Sequence, residues 1–399
     1  MKVIILNSYS SKGGASRAAA RLHEALRIID VDCEFFSVYS SSPTFYKRFL
    51  YYARVLYDRL PGFFYAKKKV MFSRGGISNN NLVKYINNSD ADIVHFHWLN
   101  AGAISLSDIA KIEKKIVWSL HDMWLFTGGC HYDQDCGAYV RQCGSCPILR
   151  STKDNDLSRT VWQKKYDQFY SLDNFLVVGL SRWMVNRAQS SSLFENKCVV
   201  NLPNPIDTRK FQPLDKYDAR RNLGLPNDKI LVLFGAMSYQ DDSRKGYKEL
   251  VEALANLTEH NIELVTFGTG ENDDALCFPV TYLGDISDDE KLILAYNAAD
   301  MLVSPSIQEN LSNVIMESLS CGTPVVCFDI GGNSDMVVHK KTGYLARPYQ
   351  PIDLANGIDW LVNKNNLMKC SEMAREKVVD EFDYSVVGPK YVDLYVNFL

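Results

Sequence analysis

No hydrophobic stretch in this 399-residue sequence is long enough to cross a membrane as a helix. Each apolar run falls well short of the roughly 18–20 residues that a membrane-spanning helix requires. The opening residues, MKVIILNSYSSKGGASRAAARL, do not resemble a signal peptide, because their apolar run is short and leads into glycine, serine and charged residues. We therefore expect neither a transmembrane helix nor a secretory leader.

The sequence also lacks a strong excess of charge of either sign. Its 44 Lys and Arg residues and 47 Asp and Glu residues give a formal net charge of −3, which argues against extensive nucleic-acid binding. The ten cysteines are scattered except for one cluster, a usage typical of a reducing compartment. These properties predict a cytoplasmic protein.

Short runs of Val, Ile and Leu alternate with helix-period segments along the whole chain. KVIILN, DIVHFHW and FLVVGLS are predicted strands of the first half, and the pattern restarts at KILVLFGA. Such alternation is typical of α/β proteins with doubly wound parallel sheets. Because the chain is too long for one ordinary domain, we predict two such domains, with their boundary in the proline-containing segment VVNLPNPIDTRKFQPLD. Ligands of open parallel sheets bind beyond the carboxyl ends of the strands, so we expect the site in a cleft where the two sheets face each other.

Glycines and cations follow several of the predicted strands. The first strand leads into Gly13 and Gly14, which would let backbone N–H groups approach an anion, although the G-x-G-x-x-G fingerprint of nicotinamide enzymes is absent. Arg244 and Lys245 lie between a strand and a helix, where two cations suit a diphosphate, and Gly268 ends a further strand. The alternative interpretations are a plain turn for the glycines and a solvated loop for the cations.

Histidines mark the ends of two predicted strands in the first half. His121 ends IVWSLHD, at the sheet edge where a catalytic side chain is expected. His95 and His97 alternate in VHFHW and therefore point to one face of the sheet. A histidine within a strand is more often a hydrogen-bonded core residue, so His121 is the better catalytic candidate of the three.

The segment SPSIQENLSNVIMESLSCGTPVVCFDIGGNSDMV carries two acidic residues eight positions apart. Glu309 lies in a loop containing Pro, Asn and Ser, whereas Glu317 lies inside a helical pattern. That helix begins after Leu311 with Ser312 and Asn313, both good caps, and its positive end would favour a phosphate. We expect both carboxylates near one mouth, an arrangement that suits a polyhydroxylated ligand.

Four cysteines with the spacing C-x5-C-x6-C-x2-C follow His121 in TGGCHYDQDCGAYVRQCGSCP, namely Cys130, Cys136, Cys143 and Cys146. Four thiols in a short loop with one C-x-x-C pair are typical of a tetrahedral zinc site, structural because four thiolates complete the coordination shell. His131 and Asp135 are alternative ligands. Free thiols or labile disulfides are the alternatives to metal binding.

Residues 45–76, FYKRFLYYARVLYDRLPGFFYAKKKVMFSRGG, combine many aromatic residues with Lys and Arg and contain Asp58 as their only acid. Basic amphipathic helices of this kind lie on anionic lipid. The alternative is a helix pair packed on the N-terminal domain with its cations in solvent. Lipid contact would place the protein at the inner face of the plasma membrane.

The set KGGAS, HDMW, LPNPID, RKG, FGTG and E-x7-E followed by GTPVV and GGNSD resembles the retaining GT-B glycosyltransferases of family 4. The likeness covers nearly the whole chain in that family's order, and the cysteine-containing string is similar to a bacterial surface-polysaccharide subgroup. The resemblance implies a Rossmann-like acceptor domain over residues 1–205 and a Rossmann-like nucleotide-sugar donor domain over 206–383. It also implies that the C-terminal helix, 384–399, crosses back onto the first domain.

The same resemblance assigns roles to the residues of the acidic segment. By position, Glu309 would hold hydroxyls of the donor hexose, helped by the backbone N–H groups of Asn310, Leu311 and Ser312. Glu317 would bind the ribose hydroxyls. Glu309 is then a residue that orients the donor rather than a covalent nucleophile.

The remaining carried-over roles concern the diphosphate and the sugar. Lys245 matches the family's diphosphate-binding lysine, His121 the histidine near the transferring sugar, and Gly14 the glycine beside the phosphates. The family often has GRL after the first strand of the second domain, where this sequence has GAM. We expect Arg244 to take the place of that missing arginine.

The resemblance implies transfer of a hexose, with a glucose-type UDP-sugar as the expected donor, to a glycan or lipid-linked acceptor in exopolysaccharide or surface-polysaccharide biosynthesis. Cations and a helix N-terminus would stabilise the negative charge that develops on the leaving diphosphate, and no catalytic cofactor is expected. Retaining enzymes of this fold usually lack a carboxylate nucleophile, and none is evident in this sequence. The resemblance therefore implies same-face attack, with a donor phosphate oxygen taking the acceptor proton. The alternatives are a nucleotide-sugar 2-epimerase of the same fold and a catalytically inactive sugar-nucleotide-binding protein.

Overall fold

The structure is a computed structural model that describes residues 1–10, 13–39, 45–60, 65, 71–235, 242–258, 261–268 and 278–399. The chain divides into two compact units. Unit 1 comprises Met1–Pro205 and Val387–Leu399, and unit 2 comprises Ile206–Val386. Each unit is built on a six-stranded parallel sheet, so the predicted α/β class with two Rossmann-like sheets is confirmed.

In unit 1 the strands lie in the order β2-β1-β3-β4-β5-β6. They are β1 (Lys2–Tyr9), β2 (Asp32–Tyr39), β3 (Ile93–Phe96), β4 (Lys115–Leu120), β5 (Phe175–Gly179) and β6 (Val199–Asn201). The helices are α1 (Gly14–Ile28), α2 (Phe45–Arg59), α3 (Asn80–Asn88), α4 (Leu106–Ile109), α5 (Leu157–Phe169) and α6 (Arg182–Gln189). The central strands are continuous apolar runs, buried from Val3 to Leu6 in β1, because helices cover both faces of the sheet.

In unit 2 the order is β12-β11-β10-β7-β8-β9. These strands are β7 (Ile230–Gly235), β8 (Ile262–Phe267), β9 (Val280–Tyr282), β10 (Met301–Ser304), β11 (Val325–Phe328) and β12 (Gly343–Ala346). The helices are α7 (Lys216–Leu223), α8 (Tyr247–Leu254), α9 (Asp289–Ala298), α10 (Asn313–Ser320), α11 (Asn333–Met336), α12 (Pro351–Val362) and α13 (Lys364–Phe382). A last helix, α14 (Tyr384–Phe398), begins in unit 2, and its residues from Val387 onward belong to unit 1.

Strand order reverses once in each sheet. In unit 1 the reversal lies between β1 and β3, and in unit 2 it lies between β7 and β10. Adjacent connections leave such a point on opposite faces of the sheet, which opens a crevice at the carboxyl ends of the two strands. The glycines after β1, His97 after β3, the cations after β7 and Glu309 after β10 all follow these four strands.

Candidate functional site

An ion pair joins two predicted site residues at the reversal point of unit 2. The Nζ of Lys245 donates to Oε2 of Glu309 at 3.1 Å, with 30% of the lysine side chain and 15% of the glutamate side chain exposed. The other carboxylate oxygen of Glu309 accepts the backbone N–H of Asn310 at 3.2 Å. The fold thus brings together two residues that are 64 positions apart in the sequence and leaves both reachable from solvent.

Two glycines fix the loop that carries Glu309. Gly246 has a φ of +71°, and a Cβ there would overlap the carbonyl oxygen of Pro305; Gly331 has a φ of +53°, and a Cβ there would overlap the carbonyl oxygen of Glu309. Only glycine accepts both conditions without strain. The motifs RKG and GGNSD contain these two glycines, but the motifs alone did not indicate that the glycines position the loop.

Arg244 is paired with a residue of its own turn. Its Nε and Nη2 donate to the two carboxylate oxygens of Asp242 at 2.9 and 2.7 Å. Burial raises the pKa of Asp242, but the hydrogen bonds and charge of Arg244 outweigh burial and lower it below its usual value. Binding of a diphosphate by Arg244 stays a prediction, and it requires the guanidinium to exchange its contacts with Asp242 for the ligand.

The second acidic residue lies deeper than the first. Glu317 is 1% exposed on α10, and its Oε2 accepts the hydroxyl proton of Tyr296 from α9 at 2.7 Å. Ser312 caps α10 by accepting the N–H of Ile315 at 3.5 Å, so Glu309 lies outside the helix that holds Glu317. The contact of Glu317 with a ribose stays a prediction.

The other predicted donor-binding residues occupy the expected strand ends. Asn310, Leu311 and Ser312 are buried between β10 and α10. Gly268 follows β8 and donates its N–H to the carbonyl of Gly284 at 2.9 Å. Each of these positions is consistent with backbone contacts to a ligand, although none of them tests that role.

In unit 1, the loop after β1 leads directly into α1. Gly13 is the N-cap of α1 and has no side chain to cap it, and a Cβ at this position would meet nothing within 4 Å. The hydroxyl of Ser16 in the first turn bonds back to the carbonyl of Tyr9 at 2.9 Å. Gly14 begins the helix, so both predicted glycines lie at its positive end.

A row of histidines lies across β3 and β4. His97 Nδ1 and His121 Nε2 are 2.8 Å apart, and the rings of His95 and His97 are 4.6 Å apart. His95 bonds Ser119 at 2.8 Å through Nε2 and Tyr395 at 2.7 Å through Nδ1. Burial lowers the pKa of His121 to about 4 and that of His95 to about 3, so these rings are neutral near pH 7.

Asp122 anchors the loop that follows His121. Its carboxylate accepts the indole N–H of Trp98 at 2.7 Å, the backbone N–H of Trp124 at 2.9 Å and a bond from His131 Nδ1 at 2.6 Å. Burial raises the pKa of Asp122, but the charge of His131 and these hydrogen bonds hold it below its usual value. Sequence reasoning missed Asp122, although its position beside His121 in HDMW was a signal.

The cysteine cluster does not form a ligand set in this structure. Cys130, Cys143 and Cys146 are buried and Cys136 is half-buried, all as free thiols. Burial raises the pKa of all four, that of Cys143 to about 12, and the charges of the other three raise the pKa of Cys130 further. Across the part of the chain that the structure describes, no group of three or more His, Cys, Asp or Glu side chains is arranged to hold a metal ion.

His131 and Asp135 are both engaged elsewhere. The two ring nitrogens of His131 bond Asp122 and the hydroxyl of Ser73, the latter at 3.0 Å. Asp135 is largely exposed and lies 3.7 Å from Arg187. Neither therefore substitutes for a thiol in the arrangement seen, and zinc binding by the four cysteines stays a prediction.

Helix α2 packs on unit 1 by one face and exposes an apolar stripe on the other. Arg54 donates to the carbonyl of Gly102 at 2.9 Å, and Asp58 is buried and accepts the N–H of Gly75 at 3.1 Å. The exposed stripe consists of Phe49, Tyr52, Leu56 and Leu60, with between 45% and 62% of each residue exposed. Residues 61–64 and 66–70 of the basic aromatic stretch lie outside the described residues. No helix among the residues described has the length and hydrophobicity to cross a membrane.

Solved structures share this two-sheet architecture. A sucrose-phosphate synthase from Thermosynechococcus elongatus superposes with a TM-score of 0.69 at 20% identity, over 100% of this chain and 99% of that one. The Anabaena protein HepE, solved in complex with UDP-glucose, gives a TM-score of 0.66 at 17% identity over 100% of both chains. At these identities the likeness shows the fold, which is GT-B.

Sequence comparison matches one segment of the chain to a known family. Residues 215–377 match the family described as glycosyl transferases group 1. An uncharacterized glycosyltransferase of Methanocaldococcus jannaschii is 29% identical over 329 residues, which cover 76% of this chain and 82% of that protein. For three other curated relatives, the chain spans 35%, 40% and 50% of their length. Residues 215–377 therefore carry a glycosyl transferases group 1 domain, and the likeness to proteins named as glycosyltransferases supports a glycosyltransferase.

Substituting Gly246 tests whether the Glu309 loop depends on close backbone contact. Gly246→Ala and Gly224→Ala place alanine at nearly the same φ, +71° and +67°, but only the first adds an overlap, with the carbonyl of Pro305. We expect Gly224→Ala to lower the free energy of unfolding by about 1–2 kcal/mol, the cost of left-handed alanine. Gly246→Ala should cost about 1–3 kcal/mol more, as for an overpacked site. Equal losses of unfolding free energy in the two variants, measured by urea unfolding, would show that the loop shifts to accommodate the added methyl group at no extra cost.

The zinc prediction is tested by elemental analysis of the purified chain. A tetrahedral thiolate site predicts about one zinc per chain, lost in Cys143→Ser. Cys198→Ser is the matched control, because Cys198 is an exposed free thiol outside the cluster. A fully folded protein without zinc would refute the prediction.

Proposed function

We propose that this chain transfers a hexose, with retention of configuration, from a glucose-type UDP-sugar to a glycan or lipid-linked acceptor in surface-polysaccharide biosynthesis. The observation that carries the proposal is the half-exposed ion pair of Lys245 and Glu309 at the reversal point of the unit 2 sheet. A cation and a carboxylate side by side match the two parts of a nucleotide sugar, the diphosphate and the sugar hydroxyls. Binding of UDP-glucose by HepE supports the choice of a UDP-sugar.

In this proposal the ion pair is exchanged for the donor. The ammonium of Lys245 moves to diphosphate oxygens, and the carboxylate of Glu309 is then available to accept hydroxyl protons of the hexose. As the sugar–phosphate bond breaks, negative charge grows on the leaving diphosphate, where Lys245 and the N-terminus of α10 stabilise it. Glu309 contributes orientation rather than covalent attack.

Retention follows from attack on the face that the leaving group vacates. A donor phosphate oxygen takes the proton of the acceptor hydroxyl as the new glycosidic bond forms. We place His121 beside the transferring sugar and Glu317 at the ribose, as the family resemblance implies. Arg244 joins the diphosphate if it releases Asp242, to which it is paired at 2.7 Å.

Replacing Lys245 tests the donor site. In a thermal-shift screen of UDP-, GDP- and ADP-sugars, we expect UDP-glucose to raise the melting temperature of the unaltered chain, because a ligand that binds only the folded state stabilises it. Lys245→Ala should weaken this binding about 10- to 100-fold, the loss of a charge-assisted hydrogen bond. Glu309→Gln should retain the fold and lose most of the sugar transfer.

Lys248→Ala is the control for this experiment, because Lys248 is an exposed cation of the same segment, three positions further on. Unchanged binding and transfer in Lys245→Ala would disprove the site assignment. Analysis of the products decides between the alternatives. A 2-epimerase would yield an epimerised nucleotide sugar without any acceptor, and an inactive binding protein would yield no product at all.

We also propose that α2 rests on anionic lipid. Its exposed stripe is apolar, and residues 45–76 contain many Lys and Arg but only one acid, Asp58, which is buried. An exposed apolar stripe in a segment whose sequence is rich in cations is complementary to a bilayer with anionic headgroups.

Vesicle co-sedimentation tests this contact. We expect the chain to bind phosphatidylglycerol vesicles, to bind phosphatidylcholine vesicles weakly, and to release in high salt because screening weakens the attraction. Phe49→Ser with Leu56→Ser should reduce binding at least about tenfold through lost apolar burial. Ile28→Ser is the control, since Ile28 is similarly exposed on unit 1 outside the stripe. Equal effects of the two changes would contradict a specific lipid contact.

A further inference from the structure

The two ring nitrogens of His121 have different surroundings. Nε2 lies 2.8 Å from Nδ1 of His97. No described residue forms a hydrogen bond to Nδ1, and that atom is not among the buried polar atoms that lack a partner. The half-buried ring therefore turns Nε2 toward the sheet and leaves Nδ1 accessible at the carboxyl end of β4.

The surroundings of His97 decide which ring donates in this pair. His97 has no exposed surface, and its second nitrogen, Nε2, has no hydrogen-bond partner. If His121 Nε2 donated to His97, then His97 would carry its proton on Nε2, as a buried N–H group without an acceptor. If His97 Nδ1 donates, only an acceptor nitrogen is left unpaired. Buried N–H groups without an acceptor are rarer in folded proteins than buried acceptors without a donor, so the second arrangement is favoured.

Both rings are neutral in this arrangement. Burial lowers the pKa of His121 to about 4 and lowers that of His97 well below its usual value. The neighbouring carboxylate, Asp122, raises the pKa of His121, but its oxygens already accept three other donors. His97 therefore carries its proton on Nδ1 and donates it to Nε2 of His121. The single proton of the neutral His121 ring must then reside on Nδ1.

We propose that His97 is a positioning residue that holds the proton of His121 on Nδ1, so that His121 offers an N–H donor, and not a base, to a ligand oxygen. The catalytic consequence rests on the proposed glycosyl transfer, in which His121 lies beside the transferring sugar. A fixed donor can stabilise a sugar hydroxyl oxygen or a phosphate oxygen without changing its own charge. The proton position itself does not depend on the reaction.

His97 is itself held in place by its neighbours. His95 packs against it with ring centroids 4.6 Å apart, and His95 is fixed at both nitrogens by Ser119 and Tyr395. The backbone N–H of His97 donates to the carbonyl of Leu6 at 2.8 Å. Rotation of the His97 ring away from His121 is therefore opposed by packing on a fully buried residue.

Long-range proton–nitrogen NMR of the full chain with ¹⁵N-labelled histidine measures the proton position directly. We expect His121, assigned through the signals missing in His121→Asn, to show a protonated Nδ1 and a bare Nε2 at neutral pH. In His97→Asp a carboxylate acceptor replaces the donor, and His121 should then carry a proton on Nε2. In His97→Asn, the amide nitrogen occupies the place of Nδ1 and should preserve the original pattern.

Kinetics of sugar transfer provide the functional test. We expect His97→Asp to lower kcat about tenfold, as for one lost hydrogen bond in the transition state, while KM for the donor stays unchanged and His97→Asn retains most of kcat. Equal losses in the Asp and Asn variants, or an Nε2 proton on His121 in the unaltered chain, would overturn the proposal. Absence of any sugar transfer by the unaltered chain would instead disprove the proposed function and, with it, the role of His97 in catalysis. The NMR result would still decide the position of the proton.

Discussion

The pairing of Lys245 with Glu309 joins two loops that the sheet itself brings together. The strands β7 and β10 are hydrogen-bonded neighbours, although 65 residues separate the end of β7 from the start of β10 in numbering, Gly235 and Met301. Their connections leave on opposite faces, so the loops diverge and leave a crevice into which both side chains can reach. The backbone of Gly246 lies close to the carbonyl of Pro305, and the backbone of Gly331 lies close to the carbonyl of Glu309. The position of the carboxylate thus depends on backbone packing that tolerates no side chain.

The cations of this site pair with carboxylates of the protein. Lys245 takes Glu309 at 3.1 Å, and Arg244 takes Asp242 at 2.7 Å. Half-exposed ion pairs of this kind contribute little stability, roughly 1 kcal/mol or less, because solvent competes for both partners. A ligand that offers a diphosphate to the cations and hydroxyl groups to Glu309 can therefore displace these pairs at small cost. Glu317 differs, because its burial against Tyr296 makes any exchange of partners expensive.

The alternation of apolar strands and helix-period segments was sufficient to predict both parallel sheets and their order along the chain. Glu309 and Lys245 were predicted from motif spacing. Lys245 follows β7 and Glu309 follows β10, the two strands at the reversal point. Spacing alone did not reveal the ion pair of Arg244 with Asp242 or the hydrogen bond from Tyr296 to Glu317. These contacts depend on side-chain directions that packing determines. The roles of Gly246 and Gly331 were missed for the same reason: their requirement comes from carbonyls of another loop.

The histidine row shows how much of the chemistry of a side chain is decided by residues that do not reach the ligand. His95 and His97 were assigned from the strand pattern to the sheet interior, and both are fully buried there. Burial removes their ability to carry charge near neutral pH, so they can act on His121 only through the direction of a hydrogen bond. That direction depends on a single unpaired nitrogen, His97 Nε2, since the other contacts of the row would accommodate either proton arrangement. A structural histidine in the core thereby determines whether the histidine at the strand end faces a ligand as a donor or as an acceptor.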